Sequence, residues 1–184
     1  LCITGATGSG KTNLLINIIE QSKNFTKLYL FAKKIDEPLY EYLIDSFQKV
    51  DDSLIAFSND IQDVVNPDEI DESIQNLIIF DDLICEKNLS ACEELFIRGR
   101  KQNASIAFLS QSYFLIPKSI RLNSDYFIFM RTNNKREIAE IAKEQTVNDF
   151  KNKFLKYTQS PHNFLMLDFQ TKDPEMQVRH NFGI

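Results

Sequence analysis

Eight residues near the start of the chain, Gly5-Ala6-Thr7-Gly8-Ser9-Gly10-Lys11-Thr12, have the types and spacing of a loop that holds phosphate. They fit G-x-x-x-x-G-K-[ST]. Glycines permit a turn tight enough for successive backbone N–H groups to converge on phosphate oxygens. A helix opening directly behind such a loop adds its partial positive charge at the same point. In that arrangement Lys11 reaches the β- and γ-phosphates of a nucleoside triphosphate, and the Thr12 hydroxyl is a Mg²⁺ ligand. The motif needs a strand before it and a helix after it. Residues 1–4 read as a buried strand, and the apolar spacing over 13–19 predicts the helix.

A second set of chemical groups lies seventy positions later. Leu77-Ile78-Ile79-Phe80-Asp81-Asp82 is an apolar run ending in two carboxylates. A fully buried strand explains the run but not adjacent acids at its end, which is where ligands sit in open α/β sheets. Beside the phosphate loop, Asp81 would hold Mg²⁺, and Asp82 would face the attacking water as general base. Glu86 is the next acid in reach should Asp82 fall short. Gln111 ends an apolar run over 104–109 and could orient that water or sense the γ-phosphate, its plainer role being a strand-end cap. The first arginines of the chain, Arg98 and Arg100, fall together in Arg98-Gly99-Arg100-Lys101. They suit either stabilisation of a neighbour's transferring phosphoryl group or the negative end of a helix dipole.

These groups must be positioned by alternating strands and helices. Strands are expected at 27–32, 54–57, 75–82, 104–109, 126–130, 164–167 and 177–182. Helices are expected after Pro38, with Leu39, Tyr42 and Leu43 on one face, from Ser90 to about Gln102, and over 134–143 and 147–157. Ser90 with Glu93 reads as a capping box. The acidic stretch 58–73, which contains Asn66-Pro67, reads as loop with a short helix. The alternation predicts an α/β fold, a mostly parallel sheet with helices on both faces, in one domain spanning 1–184.

Composition narrows the function. The net charge of −5 conceals an asymmetry: residues 1–97 hold 7 Lys and no Arg against 18 acids, while 98–184 hold 14 basic residues against 8 acids. An acidic chain does not coat nucleic acid, yet its second half could touch a phosphate backbone locally. Lys135-Arg136 and Lys151, Lys153 and Lys156 are the nominees, with solvated helix faces as the plainer reading. Three cysteines without C-x-x-C spacing argue against disulfides or zinc, and suit small buried hydrophobes in a reducing compartment. His162 and His180 read as structural or surface residues. No apolar run spans a bilayer and no signal peptide is recognisable. The chain starts without Met, inside a core strand, so upstream residues are expected to have been trimmed.

Taken together, GATGSGKT, LIIFDDL, ELFIRGRKQNASIAFLSQS, PKSIRLNSDYFIF, SPHNFLMLDF and VRHNFGI make the sequence resemble the genome-packaging ATPases of large double-stranded DNA viruses and virophages. That is the poxvirus-type branch of the FtsK/HerA superfamily. The resemblance implies a RecA-like P-loop NTPase core of the additional-strand, catalytic-acid type. It also implies ATP and Mg²⁺ as ligands, and a homo-oligomeric ring, commonly a hexamer, that drives double-stranded DNA through a capsid vertex. The implied setting is the virion or the viral factory in the host cytoplasm. Position by position, Gly5 to Thr12 match the nucleotide loop, Asp81 the Mg²⁺ acid, Asp82 the catalytic acid and Gln111 the polar sensor. Arg100 or Arg98 matches the arginine acting in trans, and Arg121 falls in a recurring segment that could contact a neighbouring subunit. A cellular or mobile-element DNA translocase with the same chemistry is the first alternative. A P-loop kinase or nucleotide switch is the second, although no arginine-rich lid is evident.

Overall fold

The fold, a computed structural model, describes residues 1–22, 24–83, 89–145 and 147–183. Eight strands form one sheet: β1 (Cys2–Thr4), β2 (Lys27–Ala32), β3 (Ile55–Ser58), β4 (Asn76–Asp81), β5 (Ala104–Ser110), β6 (Tyr126–Met130), β7 (Phe164–Asp168) and β8 (Val178–His180). Their order is β3-β2-β4-β5-β1-β6-β7-β8. The first six strands of that order pair in parallel, whereas β7 is antiparallel to both β6 and β8.

Apolar residues on both faces of the central strands force cover on both sides. Side chains alternate across a strand, and the two core clusters divide accordingly. Ile3, Leu28, Leu30, Leu77, Ile79, Ala107, Leu109 and Ile128 meet helices α1 (Lys11–Ser22) and α2 (Pro38–Gln48). Their neighbours Tyr29, Phe31, Ile78, Phe80, Phe108, Phe127 and Phe129 meet α3 (Ser90–Arg98), α4 (Lys118–Leu122), α5 (Lys135–Glu144) and α6 (Phe150–Tyr157). One face is therefore largely aliphatic and the other aromatic, with Phe31–Phe80 and Phe127–Phe129 stacked at 5.6 and 5.8 Å.

The predicted α/β alternation is present, with local corrections. In α2 the buried stripe is Tyr40, Leu43 and Ile44; Tyr42 is 53% exposed and its hydroxyl donates to Glu20. The helix after the acids begins at Ser90 with Leu89 in the cap position and no side-chain cap, so the capping box does not form. It gives way at Gly99 to a tighter 3-10 turn through Gln102. The stretch 58–73 contributes two such turns, Ile61–Asp63 and Pro67–Glu69. Cys2 and Cys92 are buried, and burial pushes the Cys92 thiol up to about 12, as suits small hydrophobes. Cys85 lies outside the described residues. No described helix is long and apolar enough to cross a membrane.

Candidate active site

Register brings the chemical groups to one edge. Thr4 at the end of β1 is level with Ser110 at the end of β5, and Asp81 at the end of β4 is level with Leu109. The next residues, Gly5, Gln111 and Asp82, therefore emerge together at the C-terminal edge. Gly5 N–H donates to Ser110 O at 3.3 Å, and Asp82 N–H to Leu109 O at 3.4 Å. Strand β5 lies between the strand of the phosphate loop and the strand of the acids. Its tip, Gln111, is thereby held between them.

The loop is a cradle because its backbone curls. Gly8 and Gly10 adopt φ of +75° and +96°, which side chains rarely tolerate. The turn closes with Ser9 N–H on Ala6 O, and α1 starts at Lys11. Lys11 Nζ folds back to donate to Gly5 O at 3.0 Å and Ala6 O at 3.3 Å. Burial lowers its pKa, while Asp81, Asp82 and Glu37 oppose the shift.

The two acids sit in different environments. Asp81 is largely buried, which raises its carboxyl to about 6 despite the hydrogen bond from Tyr40 and the charge of Lys11. Tyr40 Oη donates to Asp81 Oδ2 at 2.5 Å, and burial beside that carboxylate raises the phenol's own pKa. Asp82 takes a left-handed backbone, φ +55°, and accepts from Gln111 Nε2 at 2.8 Å. The predicted sensor and the predicted general base are thus in direct contact.

Thr7, Gly8, Gly10, Lys11, Thr12, Asp81, Asp82 and Gln111 line one cavity of about 380 Å³, a volume suited to a small-molecule ligand. Six further lining residues were not singled out from sequence for this role: Asn13, Lys33, Lys34, Glu37, Leu39 and His162. The lysines follow β2, which pairs in parallel with β4, so their loop leaves at the same edge. His162, read from sequence as structural or surface, stands at the rim of the cradle. His180 stacks on Tyr157 with ring centroids 5.0 Å apart. Glu86 lies outside the described residues.

The donor set fits Mg²⁺. No cluster of three or more His, Cys, Asp or Glu able to hold a metal occurs among the described residues. One hydroxyl (Thr12) and one carboxylate (Asp81) beside a phosphate cradle match an ion that takes most of its ligands from phosphate and water.

The arginines lie elsewhere. Arg98 pairs with Asp68 and Glu94, and Arg100 with Asp125; neither lines the cavity of its own chain. Arg121 is buried to 11% exposure, 3.3 Å from Glu144 and packed over the rings of Tyr113 and Phe114. Within the chain it is engaged by Glu144 and the two rings.

The family model described as Poxvirus A32 protein matches residues 1–162. No curated protein matches the sequence significantly. Among solved structures, the genome packaging NTPase B204 from Sulfolobus turreted icosahedral virus 2, in complex with sulfate, is 13% identical with a TM-score of 0.71, covering 100% of this chain and 95% of that one. The same protein in complex with ATP-gammaS is 12% identical, with a TM-score of 0.65 over 100% and 96% of the two chains. The pCW3 conjugation coupling protein TcpA, with ATPgS, is 13% identical with a TM-score of 0.58, over 90% of this chain and 56% of that one. At these identities the structural likeness shows a shared fold.

Proposed function

Because the chain belongs to the Poxvirus A32 protein family, we propose that it is an ATP-hydrolysing motor that moves double-stranded DNA into a preformed capsid, its 184 residues forming one ATPase domain. The observation that carries the chemistry is the placing of Gln111 just past the end of β5, between the cradle of β1 and the twin acids of β4, in one cavity. The fold shared with a viral genome packaging NTPase, seen with a nucleotide analogue, supports the same reading.

ATP enters with its phosphates against the amides of 8–12, and Lys11 turns from the loop carbonyls to the β- and γ-phosphates. Thr12 and Asp81 would hold Mg²⁺, which when bound neutralises charge on the β- and γ-phosphates. Gln111 and Asp82 share a hydrogen bond, leaving the second Asp82 oxygen to accept a proton from water. The water oxygen attacks the γ-phosphorus as the bond to the β-phosphate oxygen breaks, giving ADP and phosphate. Arg100 or Arg98, from an adjoining subunit, offsets the charge developing on the transferring group. A ring, commonly a hexamer, supplies that neighbour and a pore for DNA, and docks on capsid vertex proteins in the viral factory or virion. A cellular or mobile-element DNA pump would share the chemistry; membership of a poxvirus family favours the viral setting.

ATP turnover with and without double-stranded DNA, measured beside the solution mass, tests this. DNA stimulation in a multimeric species is expected. Phosphoryl transfer to an added acceptor, at a rate indifferent to DNA, would make the protein a kinase instead.

A further inference from the structure

The groups assigned to hydrolysis above the cradle come from β4 and β5, on one side of the loop. On the other side of β1 lie β6 and then β7, which runs in reverse. A reversed strand begins where the parallel ones end, so the loop entering β7 is delivered to the ligand edge. That loop is Ser160-Pro161-His162-Asn163.

It is held in a defined turn. Asn163 N–H donates to Ser160 O at 3.3 Å, and Asn181, just past β8, accepts from Phe164 N–H at 3.0 Å and donates to the Asn163 side chain at 3.3 Å. His162 occupies the left-handed region at φ +65°, a conformation that costs a non-glycine residue about 1 kcal/mol or more. Its Nδ1 would stand only 2.9 Å from a Cβ on Gly10. The bare Cα of Gly10 thus admits the imidazole against the cradle as well as permitting the turn. The ring lines the cavity with Gly10, Lys11 and Asn13, and has no hydrogen-bond partner among the described residues.

We propose that His162 is a nucleotide-binding residue whose ring N–H donates to a phosphate oxygen of the nucleoside-diphosphate part of ATP. The inference rests on the reading of this cavity as an ATP site. Strand order assigns the end of the nucleotide. The γ-phosphate belongs with Asp82 and Gln111 at the tips of β4 and β5, whereas His162 precedes β7, beyond the cradle. Four strand spacings, about 19 Å, separate β4 from β7. His162 therefore serves ATP and ADP alike, and acts in binding rather than in bond cleavage.

Equilibrium binding of ADP and of ATP to wild type, His162→Ala and His162→Asn tests it, alongside steady-state turnover and nucleotide-free melting temperature. Loss of one hydrogen bond to a charged group should weaken both nucleotides by about tenfold in His162→Ala. In the same variant kcat should fall by much less than nucleotide affinity does, and melting should stay within a few degrees of wild type, because alanine fits the left-handed backbone of residue 162 somewhat less well than histidine. The amide N–H of His162→Asn should restore part of the affinity. Unaltered ADP affinity in a folded His162→Ala protein overturns the inference, as does a loss confined to ATP, which would put the ring at the γ-phosphate. Wild type that binds neither nucleotide removes the ATP reading itself, and this inference with it.

Discussion

The phosphate cradle and the basic run at 98–101 share ingredients, a glycine turn and flexible cations at a helix end, but they deploy charge in opposite ways. In the cradle, Lys11 bonds only backbone carbonyls, while Asp81, Asp82 and Gln111 line the same open volume. Its charges converge on a shared space. At 98–101 each arginine is already matched inside the chain, Arg98 by Asp68 and Glu94, Arg100 by Asp125. Exposed pairs of this kind hold by about 0.2–1 kcal/mol, so a neighbour's phosphates can outcompete them. Arg100, 70% exposed, would cost little to hand across a boundary, whereas Arg121, 11% exposed and packed over the rings of Tyr113 and Phe114, would cost more. One region gathers its polar groups around an open cavity, and the other, in the proposed mechanism, lends a group to a neighbouring subunit.

The largest effects should come from the cradle. Lys11→Ala removes the cation proposed to reach the β- and γ-phosphates and should lower ATP turnover by about a thousandfold or more, read as phosphate release. Turnover within about tenfold of wild type would place the reaction elsewhere. Asp82→Asn keeps a partner for Gln111 Nε2 but no longer takes a proton. It should cut kcat by about 10²–10³ while nucleotide affinity stays near wild type. An affinity loss as large as the kcat loss would make Asp82 a binding group and sink its role as base.

How much of this could be read before the structure depends on whether a feature is local. The cradle and the Asp81-Asp82 run are contiguous, and strand, loop and helix follow directly in the sequence, so the elements that carry them were legible. The stripe on α2 was placed one residue out. Both 39/42/43 and 40/43/44 satisfy helical spacing, and tyrosine can bury its ring or wet its hydroxyl; Glu20, from another helix, captures Tyr42. Ser90 had the right type for a cap, yet the helix takes it in as its first residue. His162 was overlooked for a deeper reason. Its place at the cavity follows from β7 running backwards, and strand direction is a property of pairing between distant segments. A polar residue in a turn before a strand carries no trace of which edge that strand will start from.

The export reading of Arg100 makes a mixing experiment decisive. Arg100→Ala subunits keep an intact Asp82, and Asp82→Asn subunits keep an intact Arg100. Each alone should be nearly inactive if the arginine works across a head-to-tail boundary. Random assembly of equal amounts creates wild-type pairing at about a quarter of the interfaces, so about a quarter of wild-type turnover should return. Recovery absent at every ratio, with assembly verified by mass, would assign Arg100 to its Asp125 pair alone. The Arg100→Ala chain should itself melt close to wild type, because an exposed pair is worth at most about 1 kcal/mol.

The smallest effect bears on the cost of the cradle. Burial raises the Asp81 carboxyl from 3.8 to about 6 in the fold, so the native state binds that proton more tightly than the unfolded chain. The stability gained from the protonated form is fully present below about pH 4 and is lost as pH rises through about 6, a change of up to about 3 kcal/mol. Asp81→Asn removes the titration, and its amide oxygen can still accept from Tyr40. Its melting temperature, without nucleotide, should equal that of wild type near pH 4. It should exceed wild type by several degrees at pH 7, about 1–3 kcal/mol, while turnover falls because a ligand for the ion is gone. Carboxylates remote from Asp81 contribute equally to both proteins and cancel in the difference. A difference that stays flat across that window, or a variant less stable at pH 7, would mean that the buried acid strains nothing and that the fold does not give up stability to keep Asp81 ionised beside Lys11.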